Sequence, residues 1–84
     1  MEKSVSLFYK EGSSDKEYHV KLEASNGGWV VNFSYRRRGS TLKTGTKTML
    51  PVSLGAATQI YDKLVKEKTA KGYAEGKSTG QGFQ

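Results

Sequence analysis

No cysteine occurs in this 84-residue chain, so neither a disulfide nor a thiolate metal site is available to hold it together. Histidine is nearly missing too. His19 stands alone, and a zinc centre built on it would need an unusual set of carboxylates. Pro51 is the single proline and Trp29 the single tryptophan. Long apolar runs are absent: Met1 to Lys10 holds no stretch of signal-peptide length, and nothing approaches the ~20 apolar residues of a membrane span. These absences lead us to expect a small cytoplasmic domain, monomeric, without membrane contact, metal or cofactor, held by its own core.

Positive charge is what the chain has in excess. Its 14 Lys+Arg stand against 8 Asp+Glu, and the surplus is local. Residues 1–35 carry four basic and five acidic side chains, whereas residues 36–71 carry nine against two. A polyanion-binding surface leaves this trace in a sequence; basic charge kept for solubility is the plainer alternative. The densest point is Tyr35-Arg36-Arg37-Arg38-Gly39-Ser40. Guanidinium matches phosphate and a flat ring stacks on sugar or base, so an aromatic beside arginines is a pairing that nucleic acid rewards.

Hydrophobic periodicity supplies the scaffold. Ser4 to Lys10 puts Val5, Leu7 and Tyr9 on one face of a strand, with Phe8 the exception opposite. A polar turn over Glu11 to Lys16 follows. Glu17 to Ser25 then alternates cleanly, with Tyr18, Val20, Leu22 and Ala24 inward. Asn26-Gly27 between two alternating runs predicts a hairpin. Trp29, Val31, Phe33 and Tyr35 form the core face of the third strand. Lys43 to Leu50, rich in threonine, suits a fourth strand or edge, though Gly45 weakens it. Ser53 is a helix N-cap, Leu54, Ala57, Ile60, Tyr61, Leu64, Val65 and Lys68 recur at helical spacing, and Gly72 is the stop. Asp62–Lys66, Lys63–Glu67 and Glu67–Lys71 are spaced as i,i+4 ion pairs. The expected fold is α+β, an antiparallel sheet of about four strands with one C-terminal helix packed on it. Residues 1–73 form the domain and 74–84 a loose tail.

The strand order, the aromatic-x-Arg-x-Gly core of Tyr35-Arg36-Arg37-Arg38-Gly39, and the helix end Lys63 to Tyr73 together resemble the WGR domain. That family, named for a Trp-Gly-Arg motif, occurs in DNA-dependent poly(ADP-ribose) polymerases and as small bacterial domains. The run Gly39 to Thr48 is similar to the bacterial members. Tyr35 stands where the family has Trp or another aromatic, Arg36 where it has Gly, and Arg37 and Gly39 match the motif arginine and the later glycine. In the polymerases the motif aromatic packs against the end of a DNA strand at a break, and the motif arginine communicates with neighbouring domains. The resemblance therefore implies Tyr35 as the stacking residue and Arg37 as the contact.

The nucleic-acid-binding residues expected from sequence are Tyr35, Arg36, Arg37, Arg38, Lys43 and Lys47. Strand alternation places Arg36 and Arg38 on one face and Arg37 on the other. The helix lysines Lys63, Lys66, Lys68 and Lys71 read as a solvated face, with the Lys68 stem covering core. Trp29 reads as core rim, Tyr73 as packing back on the sheet, and His19 as solvent-facing. Enzyme-like strings fail on context: Ser13-x-x-Lys16 lies in a turn without its companion motifs, and Gly45-Thr46-Lys47-Thr48 lacks the Gly-Lys of a P-loop. With no nucleophile–base pair in view, the expected function is non-enzymatic, sequence-independent binding of DNA or other nucleic acid. The alternative is a module docking an acidic protein or a separate catalytic chain.

Overall fold

A computed structural model of the chain describes residues 2–76. Its sheet is built out from two tight turns. Asn26 and Gly27 have φ of 46° and 81°, the pair of positive values that a two-residue hairpin turn matched to strand twist requires. They join β2 (Ser14–Ser25) to β3 (Gly28–Arg37), whose ladder runs from Ser25 opposite Gly28 to Lys16 opposite Arg37. The turn between β1 (Lys3–Glu11) and β2 is shorter than expected, only Gly12-Ser13. Ser14, Asp15 and Lys16 join the strand instead, because each backbone gains a ladder partner in β1 and polar side chains do not forbid it.

The fourth strand is also shorter than the predicted Lys43–Leu50. β4 covers Lys43–Thr46 and pairs with β3 through Asn32 to Tyr35. The chain then tucks inward: Lys47 N–H donates to Val31 O (2.9 Å), and Val31 N–H donates to Thr48 Oγ1 (3.1 Å). A threonine hydroxyl thus replaces a ladder carbonyl, and Thr48 is buried. Gly45, which weakened the strand assignment, makes it possible. A Cβ there would stand 2.5 Å from Phe33 Cζ, so β4 reaches β3 only with glycine at this position.

After a bridge between Trp29 and Val52, α1 (Leu54–Ala70) crosses one face of the sheet. Ser53 Oγ accepts from Ala56 N–H (3.2 Å) at its start. At its end Gly72, with φ of 109°, lets Gly72 N–H reach Thr69 O (3.1 Å) and Tyr73 N–H reach Lys68 O (3.1 Å), closing the last turn. Ala57, Tyr61 and Leu64 of α1 meet Leu7, Tyr18, Val20, Leu22 and Val31 of the sheet in one core, with Trp29 at its rim. The expected i,i+4 pairs do not form among the described residues; Asp62 reaches Lys3 of β1 instead (3.7 Å).

A fifth strand corrects the expectation of about four. β5 (Ala74–Glu75) pairs antiparallel with β1 at Leu7 and Phe8, and Gly76 N–H donates to Ser6 O (2.8 Å). The sheet order is β4-β3-β2-β1-β5, antiparallel throughout. Part of the segment expected to be loose therefore belongs to the sheet, since the helix stop returns the chain along an unpaired edge of β1. Residues 77–84, the rest of that segment, lie outside the described residues. No helix of the described residues is long and apolar enough to cross a membrane.

Candidate nucleic-acid interface

Sheet alternation divides the three arginines between two surfaces. Arg36 points away from the helix and stands opposite Glu17, whose Oε2 accepts from Arg36 Nε at 2.7 Å. The same carboxylate oxygen lies 3.2 Å from His19 Nε2. The His19 hydrogen bond, aided by that from Arg36, holds the Glu17 carboxyl below the usual carboxylate range against a smaller opposing effect of burial. His19 also meets Ser6 Oγ (2.9 Å) through Nδ1, so it is a half-buried network member rather than the solvent-facing residue expected. Arg38, just past β3, pairs with Asp15 (3.2 Å), and its N–H donates to Asp15 O (2.7 Å). Two of the three guanidinium groups are thus compensated.

Arg37 is different. It lies on the helix side, opposite Lys16, and takes part in no ion pair among the described residues. Two positions back on the same side is Tyr35. Its ring runs nearly parallel to that of Tyr18 (5.7 Å between centroids, 14°) and to that of Phe33 (6.1 Å, 25°). Tyr35 is nevertheless 40% exposed, so it is both the end of the core's aromatic row and an available surface. Lys43 stands directly opposite it on β4.

More cations close over this row. Lys68 Nζ sits 4.5 Å from the Tyr18 ring centroid, Lys47 Nζ 5.7 Å from that of Phe33, and Lys16 Nζ 5.5 Å from that of Tyr9. Tyr73 packs edge-on against Tyr18 and Tyr9, as its place after the helix stop led us to expect. The result is an open groove of about 680 Å³ whose lining includes Lys16, Tyr35, Arg37, Lys43, Lys68 and Tyr73. Burial, with smaller contributions from neighbouring groups, pushes the Tyr18 hydroxyl up to about 12, so it stays neutral in the groove floor at physiological pH. Burial also lowers the Lys68 ammonium, with Lys71 and Lys47 acting in the same direction and Glu67 opposing.

Of the six residues singled out from sequence, the fold brings Tyr35, Arg37 and Lys43 together, with Lys47 beside them over Phe33. It sends Arg36 and Arg38 to acidic partners. Lys16 and Lys68 were not among the six. Lys16 was readable in principle: counting outward from the Asn26-Gly27 turn pairs it with Arg37, provided β2 is carried back past Glu17. Lys68 carried only its nearness to the apolar stripe of the helix. The family model of the WGR domain matches residues 4–80. The chain belongs to the WGR domain family. Comparison with curated proteins and with solved structures gave no match. In the run Tyr35-Arg36-Arg37 the first and third side chains lie on the helix side of the sheet and line the groove. Arg36 and Glu17 also belong to the groove's lining, but they are paired with each other, Arg36 Nε lying 2.7 Å from Glu17 Oε2.

Proposed function

We propose that this WGR domain is a non-catalytic module that binds nucleic acid, DNA in the first instance, with little reading of base sequence. One observation supports this above all. Four cationic side chains, Lys16, Arg37, Lys43 and Lys68, line one groove with an exposed tyrosine ring, Lys47 stands over the neighbouring Phe33 ring, and none of the five has an ion-pair partner among the described residues. Phosphate is the ligand that such a groove fits, and phosphate contacts fix register without selecting bases. The Tyr35 ring adds a stacking surface that any base or sugar at a strand end can use.

Binding through roughly three to five phosphate contacts is weak and steeply salt-dependent, with log K falling by about 0.9 per contact against log salt on duplex DNA. The test is fluorescence anisotropy of a labelled generic duplex titrated with the protein at several salt concentrations. The reading expects saturable, salt-sensitive binding that is lost in the triple variant Tyr35→Ala/Arg37→Ala/Lys43→Ala, with circular dichroism showing that variant folded. A folded triple variant that keeps its affinity refutes the site. Indifference of the native protein to every duplex refutes the function, and points to an acidic protein as the groove's occupant.

A further inference from the structure

We infer that Ser40 is a phosphorylation site, at which an arginine-directed serine kinase closes the groove to nucleic acid. The inference rests on the nucleic-acid reading above and concerns the control of that same groove. Ser40 follows Arg36, Arg37 and Arg38 with one glycine between. Kinases of that class select substrates by charge, setting carboxylates against arginines two and three residues before the acceptor hydroxyl. Arg38 and Arg37 stand at those two positions. Residues 38–42 join β3 to β4 outside any strand and are exposed throughout, so the acceptor lies on the surface. Gly39, with φ of 84°, turns the chain, and Ser40 N–H donates to Arg37 O (2.9 Å). Among the described residues, this bond and that from Arg38 N–H to Asp15 O (2.7 Å) are what the loop releases to lie extended in a kinase cleft. Both sit at the open end of the β2–β3 ladder. The Arg38 side chain is 78% exposed, so a kinase carboxylate can take it over from Asp15.

The place of this serine gives a phosphate there its consequence. Ser40 lines the groove together with Lys16, Arg37, Lys43 and Lys68, none of which has an ion-pair partner among the described residues. Glu17 lines it too, but is engaged by Arg36. In the modification Ser40 Oγ attacks the γ-phosphorus of ATP and the bond from that phosphorus to the β–γ bridging oxygen breaks. ADP leaves with the electron pair, and the hydroxyl proton passes to the kinase's base. The phosphoserine carries a charge of about −1.5 to −2 on three acceptor oxygens. Tethered at the groove wall, it engages Arg37 and Lys43, three residues to either side, at an effective concentration that free DNA phosphate does not match. DNA then meets a groove whose cations are taken and whose rim is negative.

The test treats the full chain with ATP and an arginine-directed enzyme, the catalytic subunit of the cyclic-AMP-dependent protein kinase, and maps the phosphate by tandem mass spectrometry. Phosphate on Ser40 is expected, taken up by Thr41→Ala as well but lost from that position in Ser40→Ala. Anisotropy with a generic duplex then compares the phosphorylated and untreated chains. With about two cations neutralised, the slope of log K against log salt should become shallower by about 1.8, and binding at low salt should weaken at least about tenfold. Circular dichroism should be unchanged, and a phosphatase should restore binding. Ser40→Ala put through the same treatment should bind as it did before it. Failure of Ser40 to take phosphate, phosphate on another residue alone, unaltered duplex binding by the Ser40-phosphorylated chain, or loss of binding together with the fold overturns the inference and leaves the binding function standing. An untreated chain that binds no duplex overturns both.

Discussion

Arg37 and its two neighbours should separate cleanly under single alanine substitution. Arg37 faces the groove without an acidic partner among the described residues, whereas Arg36 and Arg38 are held by Glu17 and Asp15 at 2.7 and 3.2 Å. If Arg37 neutralises one phosphate, Arg37→Ala should reduce the slope of log K against log salt by about 0.9. Between 50 and 200 mM salt that one contact changes affinity by a factor of about 3.5, within reach of anisotropy titrations on a generic duplex. Arg36→Ala and Arg38→Ala should leave the slope almost unaltered. Their effect should fall on stability and be small, about 0–1 kcal/mol for exposed pairs of this kind. A small domain would register that as a melting shift of no more than about 4–8 °C. Equal slope losses for all three arginines would refute the division of the cluster into one contact and two structural pairs.

Other consequences follow from the packing. Gly45→Ala places a methyl group 2.5 Å from Phe33 Cζ and should cost about 1–3 kcal/mol, read as a lowered urea midpoint; an unchanged midpoint would show that β4 does not need the close approach. Thr48→Val leaves the Val31 N–H without its buried acceptor and should destabilise by roughly 1–3 kcal/mol in the same assay. Glu17, whose folded-state carboxyl is lowered, adds stability that is present above its unfolded value and lost as pH falls through the folded one. Glu17→Gln should therefore flatten the acid limb of a stability–pH curve below about pH 4.3. The raised Tyr18 hydroxyl acts on the alkaline side: stability should fall as pH rises from about 10 toward 12, and Tyr18→Phe should remove that part of the decline.

Much of this architecture was legible because local chemistry and global fold agree. The Asn26-Gly27 turn, the Ser53 cap, the Gly72 stop and the alternation through β2 and β3 each specify their own geometry within a few residues. The division of Arg36 and Arg38 from Arg37 also followed from strand alternation alone. What stayed hidden depends on residues distant in sequence. The ion pairs of Arg36 and Arg38 need the β2–β3 register carried to its far end, past a stretch whose polar composition reads as a loop. The groove needs the last turn of α1 laid over Tyr18, which periodicity of the helix does not fix. β5 escaped for another reason: Ala74-Glu75 has no strand character of its own and pairs because β1 offers an open edge.

The measurement that bears most directly on the groove as a nucleic-acid interface is an amide-shift NMR titration with a blunt duplex and its nicked counterpart, at low and moderate salt. Salt-sensitive shifts on Lys16, Tyr35, Arg37, Lys43 and the last turn of α1, with Ser6, His19 and Ser34 on the opposite face silent, are the predicted result. Shifts centred on that opposite face, or none with either duplex, would contradict it.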